Sequence, residues 1–205
     1  MNKVGMWSAL GMFVVGILYI ITVAIGMYSV GFKQPIVDPI LGIMEALTLV
    51  TAPLLVILMS AVHRMAPHDQ KTQSLIALAF AILVAGLTVT VHFVGLTVLR
   101  QTGMEGLEWP SIIYAVELLA WDIFLGLSLL FAASVFQGGG LRRNIRTSLT
   151  TVGVLCLIGS LGPLTGEMRL QFVAVLGYGV LLPAVWFMIA KYFQQSERIS
   201  SGKAC

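Results

Sequence analysis

The sequence predicts an all-α fold: a six-transmembrane-helix bundle forming a single integral membrane domain over residues 1–205, with both termini cytoplasmic. Three observations carry this. The chain is 58% hydrophobic and only 10% charged, with a mean hydropathy of +0.96, whereas soluble domains run nearer a quarter charged. Six apolar runs reach the roughly 20 residues that a helix needs to cross a bilayer. Lys and Arg then fall unevenly between alternate connections, as the positive-inside rule requires. The stretches outside these runs are too short to build a core of their own.

The runs are read as helices because lipid offers no partner for free backbone groups, and continuous apolar runs do not suit barrel strands. Span 1 (7–30) is too long for a signal-peptide core and lacks a clear small-x-small cleavage site. Span 2 (39–62) contains Pro53, which is expected to bend it and free backbone carbonyls near mid-membrane. Span 3 (73–99) carries Thr88, Thr90 and His92 and stops before Arg100. Span 4 (110–136) opens on Pro110 as a first-turn proline and carries Glu117, Trp121 and Asp122. Spans 5 (147–165) and 6 (170–192) hold Gly153, Gly159, Gly177 and Gly179, which are expected to pack these two helices closely together.

Direction follows from the basic residues. With the N-terminus inside, the inner face holds Lys3, Arg64, Lys71, Arg142, Arg143, Arg146, Lys191, Arg198 and Lys203, nine residues against Lys33, Arg100 and Arg169 outside. The run Arg142-Arg143-Asn144-Ile145-Arg146 is expected as a loop that anchors on anionic lipid, with a specific phosphate or headgroup site as the alternative. The second outer loop carries Glu105, Glu108 and the interfacial Trp109. The net charge of +3 resides in such connections and does not imply nucleic acid. Cys156 is read as a small core residue, and the terminal Cys205 is wrongly placed for prenylation.

Four ionisable residues lie inside the apolar runs: Glu45, His92, Glu117 and Asp122. A charge in hydrocarbon needs a partner, a wet cavity or a shifted pKa, so these are the candidate catalytic residues. With helix direction set, Glu45, His92 and Glu117 each stand seven or eight residues from the outer loops, roughly 10–12 Å deep at 1.5 Å per residue. Asp122 is five residues deeper than Glu117 and about 140° round the helix from it, so it is expected to face elsewhere. Tyr28, Thr88, Trp109, Tyr114, Trp121 and Tyr178 are the candidate ligand-binding residues around this layer. The plainer reading makes Glu45 a snorkelling end residue, His92 a satisfied core histidine, and Glu117 with Asp122 a structural contact between helices.

Cofactor chemistry finds no support. His92 alone is intramembrane among the histidines, which disfavours a bis-histidine haem. There is no His-Glu-x-x-His, CxxC, G-x-S-x-G, P-loop or dinucleotide fingerprint, and no mid-membrane Lys for a Schiff base. No metal or cofactor is therefore expected.

Three readings remain. The layer is an acid–base site for a lipophilic small molecule, isoprenoid or sterol-like; or a proton- or cation-coupled transport path; or polar contacts in a non-catalytic sensor, assembly factor or subunit. The first leads because the ionisable groups cluster in the outer half instead of spanning the membrane. In size and in its acid–histidine grouping the chain resembles membrane-embedded sterol isomerases and small membrane terpene cyclases, a resemblance of outline that carries over no residue roles. The block Glu117–Phe136 resembles stretches of uncharacterised multi-spanning prokaryotic membrane proteins. That resemblance implies a multi-pass protein of a prokaryotic cytoplasmic membrane, without an activity. The expected partners are membrane lipid and a lipophilic small molecule. Oligomerisation stays open.

Overall fold

The computed structural model describes residues 2–31, 34–102 and 109–202; Lys33, Glu105, Glu108, Lys203 and Cys205 lie outside them. Among the described residues there is no strand. Six helices are long and apolar enough to span a membrane: α1 (Lys3–Val30), α2 (Ile40–Met65), α3 (His68–Thr102), α4 (Ile112–Ala133), α5 (Leu141–Thr165) and α6 (Met168–Glu197). Their outward faces carry large apolar side chains such as Trp7, Ile25, Phe93 and Phe172. A surface of this kind is stable against lipid and costly against water.

Consecutive helices pack side by side, and α6 returns to α1, so the six close into a ring. The end of the ring holding Arg64 and the α4–α5 connection is filled. Leu58, Met59, Leu129, Phe136, Ile145 and Phe193 are fully buried there. Polar side chains join the helices at the backbone: Ser8 Oγ donates to Leu54 O, and Ser128 Oγ to Ala77 O, both at 2.8 Å. At the α2–α3 turn Lys71 Nζ donates to the carbonyls of His63 and Arg64, which the end of a helix leaves without partners.

Helix α2 is continuous through Pro53. Several expectations change. The basic cluster at Arg142–Arg146 is not a loop but the first turns of α5, which starts at Leu141. Pro110 precedes α4: Ser111 is the N-cap, its Oγ accepting from Tyr114 N at 3.1 Å. Helix α3 runs past Val94 through a π-wound turn, Gly95–Leu99, to Thr102, so Arg100 belongs to the helix and not to a loop. Two more π-wound turns interrupt α4 at Leu119–Phe124 and α6 at Leu176–Leu181. The glycine seam also differs. Gly159 meets Ala174 and Gly177 meets Leu155, both between α5 and α6. Gly153 instead faces α4, where a Cβ would stand 2.8 Å from Gly126 O, while Gly179 meets only Val175 of its own helix. Gly166, with φ of 78°, ends α5 in the left-handed conformation that lets the chain reverse directly into α6.

Candidate functional site

The opposite half of the ring, toward Arg100, is not filled. It holds a cavity of about 300 Å³ lined from α1, α2, α3, α4 and α6, at the small end of the ~300–1,000 Å³ usual for small-molecule pockets. Glu45, Thr88, His92, Tyr114, Glu117, Trp121 and Tyr178 all line it. Apolar walls come from residues such as Met12, Leu55 and Leu182. Tyr19 and Trp186 line it too, and neither was singled out by the sequence.

The three carboxyl and imidazole groups of the layer meet at this cavity without forming one cluster. They divide into two bonded groups. In the first, Glu45 Oε2 accepts from Arg100 Nη1 at 2.5 Å. Arg100 also forks onto Asp38, Nε to Oδ2 at 2.8 Å and Nη2 to Oδ1 at 2.6 Å, and Nη1 reaches Gly95 O. All three guanidinium nitrogens are thereby occupied. Asp38 accepts from Gly42 N as well, at the start of α2, where a helix N-terminus favours negative charge. Bonding to Arg100 holds the Asp38 carboxyl below the usual carboxylate range. Glu45 is 2% exposed, so its charge is compensated almost wholly by Arg100. It does not snorkel.

In the second group His92 Nε2 and Glu117 Oε1 are 3.0 Å apart, joining α3 to α4. Buried atoms of the lining residues are left over from both groups. Glu45 Oε1, Thr88 Oγ1, His92 Nδ1, Glu117 Oε2 and Trp121 Nε1 are all buried without a hydrogen-bond partner. Each such group ordinarily costs about 1–3 kcal/mol, so five around one cavity are a large uncompensated polarity. Two of the π-wound turns contribute here as well. Trp121 lies in one, and Tyr178 with Gly179 in another, and turns of this type recur at functional sites.

Three candidates stand apart. Tyr28 is 92% exposed at the end of α1, and Trp109 is exposed ahead of α4; neither lines the cavity, because their positions put them at the rim of the ring and not inside it. Asp122 is fully buried but lies outside the cavity wall. Both of its oxygens lack a hydrogen bond. Gln171 is the nearby amide, but it donates to Tyr178 Oη at 2.9 Å. Nor is any group of three or more His, Cys, Asp and Glu placed to hold a metal ion, among the described residues.

No family model matches the chain, and no match is found among curated proteins or solved structures.

Proposed function

We propose that the chain is a multi-pass protein of a prokaryotic cytoplasmic membrane whose cavity binds a lipophilic small molecule, isoprenoid or sterol-like, and performs acid–base chemistry on it through His92 and Glu117. The observation that carries this reading is the set of five unpartnered buried polar atoms on residues lining one largely apolar cavity. A molecule with an apolar body and a polar group satisfies both. The nine-to-three distribution of basic residues supports cytoplasmic termini, with the cavity in the outer half.

In this reading the hydrogen-bonded pair of His92 and Glu117 holds one exchangeable proton beside the substrate. Adding that proton to an alkene carbon and removing another from a neighbouring carbon shifts the double bond, with no oxidant and no cofactor. Tyr114, Trp121 and Tyr178 line the same cavity, and their π faces would stabilise a cationic intermediate. Glu45 is not assigned as the proton donor, because it is already paired with Arg100. A transport path is less well supported: the Arg64 half is filled with buried apolar side chains. A purely structural role leaves the five polar atoms uncompensated.

The test is mass spectrometry of small molecules that co-purify with the wild type and with Glu117→Gln. A lipophilic species enriched with the wild type and reduced in the variant supports the proposal. Indistinguishable profiles overturn it.

A further inference from the structure

We propose that the cavity selects a lipophilic organic cation, a protonated or quaternary amine, over a neutral molecule of the same shape. The inference deepens the ligand-binding reading above and rests on it. Three features converge. First, the lining contains five large aromatic side chains from three helices: Tyr19 of α1, Tyr114 and Trp121 of α4, and Tyr178 and Trp186 of α6. The Trp121 and Tyr178 rings have centroids 5.4 Å apart and are inclined at 49°, making a corner of two π faces. Such faces attract a cation by ~0.5–1 kcal/mol when exposed and ~2 or more when desolvated, with Trp the best of them.

Second, the charge is one-sided. Glu45 and Glu117 line the cavity, and no Lys or Arg among the described residues does. Arg100, the nearest guanidinium, spends four of its five N–H donors on Asp38, Glu45 and Gly95 O and does not line the cavity. Third, each carboxyl at the wall retains one buried oxygen without a partner, Glu45 Oε1 and Glu117 Oε2. An incoming cation compensates both. A neutral isostere leaves them as they are, and an anion adds negative charge beside two unpartnered acidic oxygens. An ammonium centre also has the charge of a carbocation, so the same wall that binds the amine would stabilise the intermediate of the proposed chemistry.

The experiment uses the full chain in lipid nanodiscs and two probes, 4-phenylbutyl-trimethylammonium and the hydrocarbon in which carbon replaces its nitrogen. Binding is measured by equilibrium dialysis against empty nanodiscs, which removes partition into lipid. The cation is expected to bind at least tenfold more tightly than the hydrocarbon, and Glu117→Gln to bring the two within about threefold. Equal binding of both probes to the wild type overturns cation selection while leaving a ligand cavity in place. Absence of binding by either probe overturns this inference and the ligand-binding reading together. The wild-type comparison decides the matter even if the variant does not fold.

Discussion

Arg100→Gln isolates the contact on which the open end of the bundle depends. The wild-type guanidinium neutralises Glu45, which is 2% exposed, and bridges it to Asp38 and Gly95 O. Removing one partner of a buried pair costs about 3–5 kcal/mol, because the remaining charge stays in low dielectric. The Arg100 side chain is itself 27% exposed, which holds the expected loss near the lower figure. Asp38 is half exposed, and its share is under about 1 kcal/mol. For a chain of this size 1 kcal/mol moves the melting temperature by about 2–4 °C, so a fall of about 6–12 °C is expected. The assay is thermal unfolding in detergent followed by tryptophan fluorescence. Glu45→Gln alone leaves Arg100 with Asp38 and is expected to cost about 1–2 kcal/mol. The double variant is then more stable than the two losses summed, by at least about 1 kcal/mol. An Arg100→Gln melt within 2 °C of wild type, or strictly additive losses, would refute the ion-pair argument.

Other expectations follow from single sites. The Asp38 carboxyl titrates lower when folded, so its contribution is complete above the unfolded value, near pH 3.9, and is lost as pH falls through the folded one; melting curves of wild type and Asp38→Asn should converge at the acid end and separate above about pH 4. Gly153→Leu forces α5 off Gly126 O and should destabilise by about 1–3 kcal/mol, whereas Gly86→Ala, with nothing within 4 Å, should stay within about 1 kcal/mol of wild type. A cysteine at position 143 should react with an impermeant reagent only from the cytoplasmic side; labelling from outside reverses the proposed orientation. Tyr28→Ala should leave the co-purifying molecules unchanged, since Tyr28 lies at the exposed end of α1.

Hydropathy made the six helices legible, because crossing lipid demands long apolar runs and little else competes with that demand. Depth was legible for the same reason: with six runs known, counting residues brought Glu45, His92 and Glu117 to one level, and all three line the cavity. Their partners were not legible. Arg100 reads as a loop residue when a helix is assumed to stop at the edge of its apolar run, and the π-wound turn at Gly95–Leu99 that carries the helix onward has no sequence signature. Angles around a helix were only partly legible. The 140° separating Glu117 from Asp122 assumes α-winding, and Leu119–Phe124 is π-wound, yet Asp122 still stands outside the cavity to which Glu117 contributes. Tyr19 escaped notice because a tyrosine within an apolar run carries no cost that marks it. Tyr28 and Trp109 were drawn in by depth alone, and depth does not say which way a side chain at the rim turns.

The most direct test of the central claim is a crystal structure of the protein purified with native lipid and grown in a lipidic mesophase. The account predicts density for an organic molecule in the cavity, with a polar atom within hydrogen-bond distance of Glu117 Oε2 or His92 Nδ1. A cavity holding only water, or closed by side chains that satisfy Glu45, His92 and Glu117 from within the protein, would contradict it.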